Sequence, residues 1–346
     1  EYAQDLMTLT IPARVSDGHF AMPFFYDPES GELDGLPVVA RDDRTITTVT
    51  RHFSKVMVLE RSLSEPKDRI DSSFEIGKDT WKFANEGAWG STTGVCSGMT
   101  LGAVWYFKNR SRLGRKRLHA AHDTEVNFRT PALGWDDAQA LRFVTIIQLE
   151  DDNATHDNGL SKLESALAKN ETSYYADAWK TVKTTIETTG EPQYLAIFPE
   201  KGINGHAIVV LGVSESKEQF YVYDPNFPTQ KDRYIQFKKG KAGIEPYSSA
   251  PNIRVFDKGP IPYTKLFPLL GSAVVNPEVI DEAWQKSRTR GTGAPPAASY
   301  QLMVLQEDGT EAPLVDGYQT NSDKLKLKLT TPTAATLRFK TLRPTG

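Results

Sequence analysis

The sequence predicts an α+β fold, and three observations carry that prediction. Apolar residues recur at helical spacing from residue 96 to about 188. From 194 to 237 the pattern changes to short runs rich in Val, Ile, Phe and Tyr, separated by polar turns, as β-strands require. Helices first and antiparallel strands afterwards point to segregated helical and sheet parts rather than alternating βαβ units.

Taken in order, residues 1–72 read as an irregular, β-rich N-terminal extension. Strand-like runs at 6–11, 36–39, 46–49 and 55–59 are divided by Gly, Pro and Asp turns. Such an extension serves as a structural cap or as a segment that blocks a site. Residues 73–286 form the main domain. Met99, Leu101, Val104, Trp105 and Phe107 give the first helix its broad apolar face, over 96–108. Further helices are expected over 136–150, 159–168 and 173–188, the last stopped by Gly190 and Pro192. Strands follow at 194–198, 206–213, 219–224 and 233–237. Gly291, Gly293, Pro295 and Pro296 give 287–298 a linker composition. Beyond it, 299–346 reads as a small β-rich C-terminal module with runs at 300–305, 324–329 and 335–341. A segment of that size makes a marginal core alone, so it is expected to dock on the main domain or on a protein partner.

Composition excludes several classes. The 346 residues carry a net charge of -3, which gives no global attraction to nucleic acid or anionic lipid. No apolar run approaches the roughly 20 residues of a membrane span, so a soluble protein is expected. Cys96 is the one cysteine, so neither an intramolecular disulfide nor a cysteine-based zinc site can form. The start at Glu1, with no charged and apolar leader, reads as a boundary or a processed end, so secretion or delivery to a host cell stays compatible with the chain.

Chemistry enters at Gly90-Ser-Thr-Thr-Gly-Val-Cys96-Ser-Gly-Met. The sole thiol follows a small-residue approach and a helical pattern starts at once behind it. A helix N-terminus offers a positive dipole end and free N–H groups, which favour the anionic sulfur and can hold an oxyanion. Gly94 and Gly98 are read as letting backbone and substrate approach closely. The bland alternative is a buried cysteine serving as a small hydrophobe.

A second signal is the pair of runs Gly205-His206-Ala-Ile-Val-Val-Leu-Gly-Val213 and Gln219-Phe-Tyr-Val-Tyr-Asp224-Pro-Asn-Phe. They form a hairpin. A turn centred on residue 215 sets His206 opposite Asp224; one centred on 216 sets it opposite Asn226. Pro225 cannot donate to the ladder and should end the pairing, which favours Asp224 over Asn226 as the partner of the imidazole.

In this order, Gly-Val-Cys96-Ser-Gly-Met, Trp105, the strand Gln193-Tyr-Leu-Ala-Ile-Phe198, Gly205-His206-Ala-Ile-Val-Val and Tyr-Asp224-Pro-Asn-Phe resemble papain-like cysteine peptidases over roughly residues 80–240. The pattern is nearest that of the YopT-type bacterial effector proteases, with the double-glycine, bacteriocin-processing peptidases next. The resemblance implies a papain-like fold, a helical part plus an antiparallel sheet. It also implies catalysis by Cys96 as nucleophile, His206 as base and Asp224 as orienter, acting on a protein or peptide substrate. Transglutaminases share the order, but here 110 positions filled by at least three predicted helices separate Cys96 from His206. One departure is the oxyanion donor, which such enzymes place as a Gln or Asn shortly before the cysteine. Here Asn85 is the nearest candidate. The same triad could serve a deamidase or transglutaminase-like toxin domain acting on glutamines, or survive in a catalytically silent binding protein.

The remaining polar features read as structural. Lys108, Arg110, Arg112, Arg115, Lys116 and Arg117 suit a solvated helix end, with an anionic-lipid or acidic-substrate patch as the lesser reading. His119, His122, Asp123 and Glu125 lack metal-motif spacing, and Asp151, Asp152, Asp157 and Asn158 form an acidic loop without EF-hand spacing. No glycine-rich nucleotide motif is present, so neither metal nor cofactor is expected.

Overall fold

The computed structural model describes residues 2–29, 31–52, 55–62, 67–85, 87–88, 91, 94–111, 113–114, 116–121, 139–154, 156–201, 205–249, 262–270, 276–288, 301–305, 309–313 and 326–330. Residues 1–293 make one compact unit and residues 294–346 a second.

The first unit opens with six strands: β1 (Tyr2–Pro12), β2 (His19–Tyr26), β3 (Leu33–Gly35), β4 (Val38–Arg41), β5 (Thr45–His52) and β6 (Lys55–Ser62). They form two three-stranded antiparallel sheets, β1-β5-β4 and β3-β2-β6. The apolar run of β2 buries Phe20, Met22 and Phe24, and its interior Pro23 is what hides the strand from pattern reading. Next come β7 (Ile70–Asp71), α1 (Cys96–Asn109), α2 (Leu118–Ala121), α3 (Gln139–Ala154), α4 (His156–Lys169) and α5 (Glu171–Thr189). Asn170 caps α5 by accepting from the Ser173 amide, and Gly190 ends it at φ 70°, a left-handed C-cap suited to glycine. The unit is completed by β8 (Gln193–Pro199), β9 (His206–Ser214), β10 (Gln219–Tyr223), β11 (Tyr234–Gln236), β12 (Tyr247–Ser248), β13 (Pro262–Pro268) and α6 (Pro277–Arg288).

The main sheet runs β11-β10-β9-β8-β13-β12, with β7 also on β9, and every pairing is antiparallel. All nine residues of β9 are buried. The strand therefore shows no polar alternation, and α1 and α5 pack on the sheet it belongs to. The two ends of the strand order meet: Arg233, just before β11, bonds the Tyr247 hydroxyl and the Ser248 carbonyl of β12. The sheet thus curls on itself, with Arg233 across the seam.

A core of aromatic rings sets the helices. Trp105 of α1, Phe143 of α3 and Trp284 of α6 lie 5.1–5.6 Å apart, centre to centre. Each such contact contributes about 0.5–1.5 kcal/mol beyond the area it buries. Gly98 allows α1 and α3 to touch: a Cβ there would stand 1.8 Å from the Val144 carbonyl oxygen. The glycine expected to admit substrate instead admits a helix.

The N-terminal strands pack at the far end of α1. Lys108 binds Asp34 at 2.8 Å and Glu191 at 2.9 Å, and it lies about 18 Å along the helix from Cys96 at the standard rise. Arg41 of β4 binds Asp177 of α5 at 2.8 Å.

Among its described residues the second unit holds an antiparallel sheet, β15-β14-β16, made of β14 (Gln301–Leu305), β15 (Glu311–Pro313) and β16 (Lys326–Thr330). Of the linker expected over 287–298, Ser287 and Arg288 instead end α6; its other residues, the strand-like run at 335–341 and the first three positions of the helix expected from 136 lie outside the described residues.

Candidate active site

Cys96 is the first residue of α1 and is half-buried. Its turn is pinned on three sides. Ser97 shares a hydroxyl–hydroxyl bond of 2.9 Å with Tyr194 of β8, Gln148 of α3 accepts from the Gly98 amide at 3.2 Å, and Asn85 accepts from the Val95 amide. No acidic side chain stands in that first turn. An anion at its mouth therefore meets the positive helix end without a competing carboxylate on the helix itself.

His206 opens β9, buried, with its backbone opposite Ile197 of β8. Its Nε2 lies 2.8 Å from Asp224 Oδ1. The Cys96 sulfur is close enough to the same ring to act on its charge. With Nε2 committed to Asp224, Nδ1 is the nitrogen left for the sulfur. The Tyr263 ring stacks on the imidazole, with centroids 5.9 Å apart and planes at 29°.

Asp224 is fully buried, yet both its oxygens are saturated with donors. Oδ1 takes the imidazole and the Asn226 amide, at 2.9 Å. Oδ2 takes the hydroxyls of Tyr247, at 2.7 Å, and Ser249, at 2.6 Å, with the Arg233 Nε 3.5 Å away. Burial alone would push this carboxyl up. The charge and hydrogen bond of His206 and the two hydroxyls outweigh it and hold the pKa at about 2. On His206 burial works against the charged ring, but the charge and hydrogen bond of Asp224, joined by the Cys96 sulfur, raise its pKa to about 10. Across the neutral range the pair is therefore an imidazolium and a carboxylate.

The hairpin leaves its turn in a register that matches neither expectation, and beyond a bulge it runs in the one expected for a turn centred on 216. Four residues, 215–218, make the turn, with Glu218 at φ 54°, and Ser214 closes it opposite Gln219. A bulge at Leu211 then shifts the ladder, so Val222 faces Val210 and Tyr223 faces Val209 before pairing stops. His206 and Asp224 are therefore not directly opposite, as a turn centred on 215 requires; the imidazole reaches the carboxylate diagonally. Beside the bulge, a Cβ on Gly212 would meet Asp71 Oδ1 at 2.4 Å and Ile70 O at 2.7 Å, where β7 docks on β9.

Asn226 binds the Ser249 carbonyl at 2.6 Å and hydroxyl at 2.8 Å through its Nδ2. Asn85 gives an Nδ2 proton to Asn226 Oδ1 at 2.9 Å, and its own amide binds the Pro225 carbonyl at 3.0 Å. The two asparagines thus tie together the loops that carry Cys96, Asp224 and Ser249. Tyr247, Ser249, Tyr263 and Arg233 are members of the site that pattern reading did not single out. The two-residue β12 and the strand β13 that carry or flank three of them offer no periodicity to detect.

Three residues of the basic run are tied into the structure. Arg110 and Arg117 both bind the buried Asp79, Arg117 also binds Glu75 at 2.6 Å, and Lys108 is committed as above. Arg112 and Arg115 lie outside the described residues, as do His122, Asp123 and Glu125. Asp151 and Asp152 stand on α3, and Asp157 and Asn158 on α4, rather than in a loop. Among the described residues no cluster of His, Cys, Asp and Glu could hold a metal, and no helix is long and apolar enough to cross a membrane.

Residues 148–248 match the model of the Peptidase_C39 like family. No curated protein and no solved structure matches the chain. The matched segment holds His206 and Asp224 and starts downstream of Cys96, which reaches the site through α1. That similarity supports a relation to the papain-like cysteine peptidases, and helices set against an antiparallel sheet are consistent with their fold.

Proposed function

We propose that this protein is a cysteine peptidase in which Cys96 attacks the carbonyl of a peptide bond. The observation that carries the reading is that His206 is bonded to the buried Asp224 at 2.8 Å and has the Cys96 sulfur near enough to act on its charge. The sulfur adds to the carbonyl carbon, and the imidazolium then gives its proton to the departing amine, leaving a thioester on Cys96. In the second half, the neutral imidazole takes a proton from water, hydroxide oxygen adds to the thioester, and the sulfur leaves with the proton held on His206. Asp224 stays ionised throughout and keeps Nε2 protonated, so Nδ1 does the proton transfer. Asn85 is the candidate side-chain donor for the oxyanion, next to the loop that leads into Cys96.

The test is incubation with unfolded protein substrates and a peptide library, with Cys96→Ala as the control and mass analysis of the products. New termini that appear with the wild type and not with the variant are the expected result. Products with intact backbones and glutamine converted to glutamate would turn the reading from hydrolysis to deamidation.

A further inference from the structure

Asp224 has one flank occupied by a group that a Cys-His-Asp triad does not itself require. Arg233 Nε donates to the Tyr247 hydroxyl at 2.8 Å, and that hydroxyl lies 2.7 Å from Asp224 Oδ2. A guanidinium can only donate, so the phenol oxygen must accept from it and turn its own proton toward the carboxylate. The direction of the Tyr247 hydroxyl is thus set by Arg233. The guanidinium is itself held flat, with its carbon 4.0 Å from the Phe227 ring centre and 4.9 Å from that of Tyr247. It also binds the Ser248 carbonyl and, at 3.4 Å, Gln230 Oε1. Its side chain is only 16% exposed, and Nε lies 3.5 Å from Asp224 Oδ2.

We propose that Arg233 is a positioning residue: acting through Tyr247, it fixes Asp224 and limits how tightly Asp224 holds the imidazolium of His206. This rests on the triad reading above. A carboxylate facing an imidazolium alone holds that proton more tightly. A second positive charge on the other oxygen shares that field. The charged and titratable groups around the pair are Cys96 from α1, Tyr223 from β10, Tyr247 from β12, Tyr263 from β13 and Arg233 itself. Three of them are phenols whose pKa values burial pushes up, so they stay neutral across the working range.

The experiment follows the His206 ring by NMR titration of histidine-labelled full-length protein, its signal assigned by its loss in His206→Gln, with the pH profile of Cys96 alkylation by iodoacetamide alongside. Arg233→Gln is expected to move the His206 midpoint upward by about one pH unit, since a positive charge beside the pair is gone. Arg233→Lys, which keeps the charge without the fork, should restore most of that midpoint. Tyr247→Phe, which breaks the link but leaves Arg233, should shift it in the same upward direction by less. If Arg233→Gln does not fold, the lysine and phenylalanine variants decide. An unmoved midpoint in Arg233→Gln, or in Tyr247→Phe where the glutamine variant does not fold, or a lysine variant that moves as far as the glutamine one, overturns the proposal and leaves Arg233 as a pin for the sheet seam. A wild type whose His206 titrates at its ordinary value and whose Cys96 reacts like a free thiol overturns the triad reading itself, a result distinct from the first.

Discussion

Asp79 and Asp224 are both buried carboxylates at 1% and 0% exposure, and they are satisfied in opposite ways. Asp79 is held by the guanidinium groups of Arg110 and Arg117 and by the Glu75 amide. Those partners cannot give up a proton in the working range, so the cluster has one state and serves as a brace. Asp224 gives one oxygen to an imidazole, a group that can, and fills its other valences with hydroxyls and an amide. That cluster has two protonation states, and its second state faces the only thiol of the chain. Burial and ion pairing alone therefore do not mark a site; what marks it is a titratable partner that in turn touches a nucleophile.

The comparison breaks first on activity. Asp224→Ala is expected to lose about 10²–10⁴ of the acyl-transfer rate, as triad orienters do, and Asn226→Ala far less, because Asn226 touches Asp224 and not the ring. Steady-state rates of the two variants check this, and the reverse order would make Asn226 the orienter. Asp79→Asn is expected to leave those rates alone and to cost about 3 kcal/mol of stability, measured by urea denaturation, by stranding two arginines against a weaker partner. Equal losses of activity in the two aspartate variants would erase the distinction.

The two clusters should also differ in pH response. His206 has its pKa raised to about 10, so its contribution to stability is whole below the ordinary imidazole range and is lost as pH rises through 10. Asp224, held at about 2, contributes above the ordinary carboxylate range and loses that contribution as pH falls through 2. Denaturation midpoints should therefore decline between about pH 6.5 and 10 in the wild type and decline less in His206→Gln. A smaller test concerns the helix that delivers Cys96. Helix propensity alone has Gly98→Ala gaining about 1 kcal/mol, whereas contact with Val144 predicts a net loss of about 2 kcal/mol in thermal unfolding. The smallest effect is expected from the second unit: a chain ending at Gly293 should keep its Cys96 alkylation rate within about twofold.

Much of the site was legible because its members sit on strongly patterned elements. Cys96 stands where an apolar helical face begins, and His206 and Asp224 flank two runs of β-formers joined by a polar turn. Pairing depended on register, and no pattern announces the bulge at Leu211, beside the Gly212 on which β7 docks. The donors around Asp224 were out of reach for another reason. Tyr247, Ser249 and Tyr263 are brought in by the curl of the sheet, which joins strands far apart in pairing order. In the N-terminal part, β2 was missed because Pro23 interrupts a run that otherwise reads as a strand.

The central claim is that Cys96 reacts as one half of a pair with His206, and alkylation at pH 6 tests it most directly. Each iodoacetamide adduct reports a single site, since Cys96 is the only thiol. The folded wild type should be alkylated faster than the same chain unfolded in urea, and His206→Ala should remove that advantage while remaining folded. A folded wild type alkylated no faster than the unfolded chain, or an advantage that survives in His206→Ala, would contradict the pairing.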